Sequence, residues 1–324
     1  MISVIVCTYN RSKTLNKMID SFLCQRNLDP LAYELLVVDN NSTDDTRDVV
    51  NSYIMCGNLR YLFIGRQGLS FARNYGVQES KGDILAFLDD DVIVEEGWMT
   101  ALQSCFLETN AHFVGGRTYL LFEYLPPEWF GPEFMSDLSM VDFGMDRKYL
   151  SNCEKLFGVN LSMRKSIFQS AGGFDESLGR RGSELMCGEE TDLTRRCLSF
   201  LPNPIIVYEP KAAVGHVIGS DRITWDYFLR YATGRGRTIE ACEPKNRLLR
   251  QVARVGKSLI DYGFCRLTAM HKRRTTLNAY EKKLAEYQFV RSRSHLGARW
   301  NRLKSCLHSV TVDVLEGRAR DVSL

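Results

Sequence analysis

Three consecutive aspartates, Asp89, Asp90 and Asp91, close an apolar run at residues 84–88 (ILAFL). A buried strand that ends in clustered carboxylates brings hard oxygen ligands to the carboxyl edge of a sheet, where open α/β sheets bind ligands. Carboxylates in that place suit Mg²⁺ or Mn²⁺, and such an ion can hold a diphosphate. The plainer reading of the triplet is an acidic turn before the next helix, since acids are favoured near helix N-termini. A second acidic cluster, Gly188-Glu189-Glu190-Thr191-Asp192, opens a helical stretch. Asp192 fits the ordinary role of an acid in a first helical turn. Glu190 suits a general base on the acceptor side of a cleft, with Glu189 holding the acceptor.

These residues need a frame. Residues 2–7 (ISVIVC), 34–38 (ELLVV), 60–64 (RYLFI) and 83–88 read as strands. Between them lie helical patterns: Leu15, Met18, Ile19, Phe22 and Leu23 after a Ser12 N-cap, a helix opened by residues 41–45, and a helix over 69–79. Strands alternating with short helices imply an α/β fold, a mainly parallel sheet flanked by helices. The strand ends then lie side by side on one rim. Strand one ends in Thr8-Tyr9-Asn10-Arg11, which offers an aromatic face and hydrogen-bonding groups to a nucleotide. Strand two ends in Asp39-Asn40-Asn41-Ser42, which offers an acid to a base imide or a ribose hydroxyl. Arg73, on the helix after strand three, suits a phosphate or base contact. No GxGxxG follows strand one and no GxxxxGK[ST] occurs, which counts against a dinucleotide fold and a P-loop ATPase.

Residues 111–225 are less regular. A strand pattern surrounds Gly115-Gly116, residues 122–145 read as a long loop holding Trp129, residues 156–163 and 205–208 are strand-like, and 188–200 is helical. Loops this long in a compact domain are usually functional. From about Thr224 the chain turns helical and basic. The expected organisation is therefore a domain over 1–225, with a nucleotide-binding half to 110 and an acceptor half beyond it, followed by a basic helical region over 226–324.

Five strings in order resemble glycosyltransferase family 2: Val4–Arg11 (VIVCTYNR), Val37–Asp44 (VVDNNSTD), Ala72-Arg73-Asn74, Phe87-Leu88-Asp89-Asp90-Asp91 and Gly188–Leu193 (GEETDL). They span about two thirds of the chain. The resemblance implies a GT-A fold, Rossmann-like, and an inverting transfer from a nucleoside-diphosphate sugar, UDP-linked, to a sugar or lipid-linked sugar. It implies that Asp39 contacts the base, that Asp89 and Asp91 form the metal-holding DxD motif, and that the second acid of the Glu-Glu pair is the base. Most members carry Glu-Asp there, so Glu190 reaches one methylene further. A histidine at the place of His216 helps hold the metal or the leaving diphosphate, although a lone His is more often structural. Arg222 suits the same phosphates. Asn160 and the Gly115-Gly116 turn match places where the family lines its acceptor cleft. Trp98 reads as a core aromatic.

Composition is ordinary for a globular protein of 324 residues, with 44% apolar and 25% charged side chains. The net charge of +3 hides an asymmetry: residues 240–324 carry 18 Lys/Arg against 8 Asp/Glu, and the rest carry 24 against 31. Basic residues recur from Lys245 to Lys304, with Leu248, Leu249, Val252, Val255, Leu259 and Ile260 among the first of them. That pattern suits either a solvated basic layer or a surface docked on anionic lipid. Nucleic acid is not expected, because no recognition motif accompanies the charge. Ten cysteines without metal-finger spacing argue for reduced thiols. The absence of a spanning run and of a signal-peptide pattern makes the cytoplasm, or the cytoplasmic face of a membrane, the expected location. Two rivals remain at this level. A sugar-1-phosphate nucleotidyltransferase would carry a Gly-rich loop with Arg and Lys after strand one. A silent sugar-nucleotide-binding scaffold need not keep both acidic clusters.

Overall fold

Residues 2–8 are apolar at nearly every position, which suits a strand covered on both faces. They form β1 (Ile2–Thr8), and in the computed structural model every β1 side chain but that of Cys7 is buried. The structure describes residues 1–324 except 26–31, 57, 152–155, 183, 184, 186, 243–247, 275–277 and 316–324. Lys245 and Arg247 of the basic tail lie outside the described residues.

The chain continues through α1 (Ser12–Leu23), β2 (Tyr33–Asp39), α2 (Thr46–Ser52), β3 (Leu59–Phe63), α3 (Leu69–Glu79), β4 (Ile84–Asp89), β5 (Val92–Val94) and α4 (Trp98–Thr109). Then come β6 (Phe113–Phe122), α5 (Pro132–Met135), β7 (Lys148–Leu150), β8 (Asn160–Arg164), α6 (Lys165–Ser170), α7 (Glu189–Phe200) and β9 (Ile206–Ile218). The strands form one sheet in the order β3-β2-β1-β4-β8-β6-β9-β5, with β7 paired to β9. Pairing is parallel across β3-β2-β1-β4 and between β6 and β9. It is antiparallel where β8, β5 and β7 join, so the expected parallel group is the first half of a mixed sheet.

Strand alternation sends Val4, Val6, Leu35, Val37, Ala86 and Leu88 to one face, against Leu15, Met18, Ile19 and Phe22 of α1 and Met99 and Leu102 of α4. Ile5, Leu36, Val38, Leu85 and Phe87 face the other way, against Ala72 and Val77 of α3, Ile167 and Phe168 of α6, and Leu193 and Cys197 of α7. Both faces being covered explains the unbroken apolar runs.

The chain divides into two compact units. The first holds residues 1–125, 134–183 and 189–220, and with them the whole sheet. The second holds residues 126–133, 184–188 and 221–324. It contains α8 (Trp225–Cys242), α9 (Leu248–Arg274) and α10 (Ala279–Leu315). Its core includes Phe228, Ala232, Val255, Ala285, Tyr287, Ala298 and Leu303. Trp129 packs edge-on against Trp225 and Phe228, with ring centroids 5.3 and 5.8 Å away. Among the described residues no helix is long and apolar enough to cross a membrane.

Candidate active site

Parallel register brings the polar strand ends level. Thr8 pairs with Asp39, and Cys7 pairs with Asp89. Just past these ends Asn10 and Asn41 take left-handed backbone angles (φ 52° and 70°), which Asn tolerates better than most residues. The two loops are stitched together: the Asn10 N–H donates to Ser42 Oγ at 3.0 Å, and the Thr43 N–H donates to Asn10 Oδ1 at 2.7 Å. Asp39 is buried. It accepts from the Ser42 N–H at 2.8 Å and from the Tyr61 hydroxyl at 2.7 Å. Burial and that hydrogen bond to Asp39 push the Tyr61 phenol up. Sequence reasoning missed Tyr61. Its signal was its place on the edge strand opposite Val37, two residues before Asp39.

Asp90 and Asp91 are buried, while Asp89 keeps 36% of its side chain exposed. Arg11 reaches back over them, 3.4 Å from Asp90 and bonded to Asp91. Burial pushes the Asp90 carboxyl up, against the pull of Arg11. The chain then turns into β5, whose Val92 pairs with His216 of β9, and the Val217 N–H donates to the Asp91 carbonyl at 2.8 Å. This antiparallel pairing carries His216, from 125 residues away, to 3.3 Å (Nε2) from Asp91 Oδ1. The other ring nitrogen, Nδ1, lies 2.9 Å from the Leu138 carbonyl. A carbonyl only accepts, so Nδ1 carries a hydrogen and Nε2 presents its lone pair when the ring is neutral. One ligand atom from each of Asp89, Asp91 and His216 falls within 4.8 Å of the others. Two carboxylates and an imidazole held in the ligating tautomer fit a divalent cation.

Arg73 has a different place from the one expected of a phosphate ligand. Its guanidinium is buried, and it lies 2.9 Å from Glu189, 3.1 Å from Glu190 and 3.4 Å from Asp89. The buried Arg73 guanidinium is the cation that these three acids share. It thereby ties the DxD acid to the Glu-Glu pair. The two glutamates divide. Burial, reinforced by the neighbouring Glu190 charge, pushes Glu189 well above the usual carboxylate range. In Glu190 burial works the same way, but Arg73 and a hydrogen bond from Glu189 overcome it and hold the carboxyl low. Glu190 is also the more open, with 18% of its side chain exposed against 5% for Glu189. The Gly158 N–H donates to Glu190 Oε1 at 3.2 Å, and a Cβ at Gly158 would collide with both Arg73 and Glu190. Gly158 is thus a further site residue, and its only sequence signal was its place in Gly158-Val159-Asn160.

Two residues expected at the acceptor cleft make contacts within the protein. The Asn160 amide is spent inside the protein: Oδ1 accepts from Trp98 Nε1 at 3.0 Å, and Nδ2 donates to the carbonyls of Ala212 at 2.9 Å and Arg117 at 3.2 Å. A Cβ on Gly116 would strike that amide and the Ala212 carbonyl. Both residues brace the junction of β6, β8 and β9, and Trp98 is the core aromatic expected. Tyr9 stays 37% exposed at the rim, open to a ligand. Arg222 belongs to the second unit, is buried, and stands 5.9 Å over the Tyr227 ring.

A mixed sheet with flanking helices and acidic strand ends is the architecture of GT-A transferases, and here a helical C-terminal part follows it. The structure of S. aureus TarS 1–349 in complex with UDP-GlcNAc superposes with a TM-score of 0.52 at 15% identity, covering 98% of this chain and 92% of that one. The glycosyl transferase family 2 model matches residues 3–170, and the chain belongs to that family. It is 26% identical over 269 residues to a glucosyl-dolichyl phosphate glucuronosyltransferase of Haloferax volcanii, covering 78% of this chain and 82% of the relative. It is 29% identical over 158 residues to the UDP-Glc:alpha-D-GlcNAc-diphosphoundecaprenol beta-1,3-glucosyltransferase WfaP of Escherichia coli, covering 46% of this chain and 56% of the relative.

Proposed function

We propose that this glycosyltransferase moves a sugar from a UDP-sugar to a hydroxyl of a lipid-linked sugar, with inversion, in polysaccharide or glycoconjugate synthesis. The observation that carries the reading is the placement of Asp89, Asp91 and His216 beside the Arg73–Glu189–Glu190 cluster. The donor and acceptor classes proposed are those of the glucuronosyltransferase and glucosyltransferase relatives and of the TarS complex with UDP-GlcNAc.

Asp89, Asp91 and His216 would hold Mg²⁺ or Mn²⁺, which when bound supplies positive charge against the diphosphate leaving group. Asp39, Thr8, Tyr9, Asn10 and Asn41 form the nucleotide rim, with Asp39 held in place by Ser42 and Tyr61. Glu190 stays ionised and accepts the proton of the attacking hydroxyl. Glu189, kept neutral, holds the acceptor. Arg73 positions both glutamates. Arg11, now spread over Asp90 and Asp91, balances their charge and contributes to the donor side. A single displacement with the base opposite the leaving group inverts the anomeric centre. A lipid-linked acceptor suits an enzyme working at the cytoplasmic face of a membrane, with its basic C-terminal region toward anionic lipid.

A screen of nucleotide sugars for thermal stabilisation in Mn²⁺, followed by hydrolysis and transfer assays, tests the reading. Stabilisation and turnover of one UDP-sugar are expected. Binding without any turnover would favour a scaffold, and formation of nucleotide sugar from a sugar 1-phosphate would favour a nucleotidyltransferase.

A further inference from the structure

Helix α9 has two apolar faces, and one of them is open. Successive helical positions turn by about 100°, so a face repeats at three- and four-residue steps. Val255 and Ser258 are buried on the inner side, and the Tyr262 ring packs on Phe289 of α10 with centroids 5.5 Å apart. Opposite them Val252, Ile260, Phe264, Leu267 and Met270 share one arc, and they are 47–74% exposed. Gly256 and Gly263 lie on the same arc, with open space where a Cβ would point. Contiguous exposed apolar surface of this kind marks an interaction site.

The charge around the arc selects the occupant. Lys257 and Arg266 are exposed at its two edges, where their heads can reach past an apolar layer to phosphates. Residues 248–274 hold seven Lys/Arg and one acid, Asp261. Packing this face on a second copy of itself would bring like charges together. An anionic lipid surface attracts them instead. No window of the helix is apolar enough to span a bilayer, whereas an amphipathic helix about 40 Å long suits the interface plane.

We propose that α9 lies in the headgroup layer of an anionic bilayer, with Val252, Ile260, Phe264, Leu267 and Met270 inserted and Lys257 and Arg266 on lipid phosphates. The proposal rests on the membrane-side placement above and adds to it an apolar anchor on a defined face. Charge alone would be lost in salt, because screening removes interactions between exposed charges. An inserted apolar face leaves a salt-resistant fraction bound.

The test is co-sedimentation of the full chain with phosphatidylcholine vesicles, with and without phosphatidylglycerol, at low and high salt. Wild type is expected on the anionic vesicles, in part even at high salt. The combined variant Ile260→Ser, Phe264→Ser, Leu267→Ser removes exposed side chains only, and it is expected to bind about ten-fold more weakly or worse. Leu107→Ser, on the exposed surface of the first unit, is expected to bind as wild type. Unchanged binding of the triple variant, no binding of wild type, or a wild-type dimer that the triple variant dissolves would each overturn the proposal. Donor turnover on a detergent-dispersed acceptor reads the proposed function separately, and the triple variant is expected to retain it.

Discussion

The imidazole of His216 stands 3.3 Å from the carboxylate of Asp91, although 125 residues separate them in the chain. The pairing of Val92 with His216 fixes this approach, and the Leu138 carbonyl sets the tautomer. His216→Ala is therefore expected to weaken Mn²⁺-dependent UDP binding about ten-fold or more, while Mn²⁺-free UDP binding stays as in wild type. Titration calorimetry with and without Mn²⁺ checks this. Equal weakening under both conditions would make His216 a packing residue only.

Glu190→Gln keeps the shape of the site but cannot accept a proton. Transfer is expected to fall roughly 10²–10⁴-fold with UDP-sugar affinity retained. Glu189→Gln replaces a neutral acid by a neutral amide, so its transfer rate is expected to stay within about ten-fold of wild type. The reverse ranking would make Glu189 the base.

Glu189 also sets a pH dependence of stability. Its native pKa is raised, so between the ordinary carboxylate value and the native value the folded state binds more protons than the unfolded one. That contribution to stability is present at low pH and is lost as pH rises. Glu189→Gln removes it, so urea unfolding is expected to show the variant gaining on wild type from pH 5 to pH 8. A constant difference across that range would mean that Glu189 is ionised throughout.

Arg73→Met leaves three acids without their shared cation. Losing one partner of a buried charge cluster costs about 3–5 kcal/mol, and this loss is expected to shrink at acid pH as the carboxylates protonate. Chemical unfolding at two pH values measures it. Gly158→Ala is a milder probe of the same cluster: it crowds Arg73 and Glu190, so transfer is expected to drop while UDP affinity holds.

Local chemistry explains which parts of this arrangement the sequence made legible. The parallel strands were plain because both faces are covered, and α3 runs over the expected residues 69–79. The helix expected to open at residues 41–45 begins only at Thr46, because Asn41, Ser42 and Thr43 serve the loop that meets Asn10. The short strand expected at 205–208 and the strand-like residues 211–215 before His216 form one strand, Ile206–Ile218. Pro210 lies within it, and the register shift between Gly116 and Thr118 absorbs the break there. The acids could be read because each sits at the end of a recognisable element. The duty of Arg73 could not, since only the fold reveals that Glu189, Glu190 and Asp89 converge on it. The internal duties of Asn160 and Gly116 were hidden for a related reason. Their positions suited a cleft, but their atoms are spent on the junction of three strands.

The central claim is that Asp91 helps hold a divalent ion that binds the donor diphosphate, and UDP titration of wild type and Asp91→Ala with and without Mn²⁺ tests it most directly. Wild type is expected to bind UDP at least about ten-fold more tightly with Mn²⁺ than without it, a gain of about 1.4 kcal/mol, and Asp91→Ala to lose that gain while remaining folded. A Mn²⁺-dependent gain that is the same in wild type and Asp91→Ala would contradict the account.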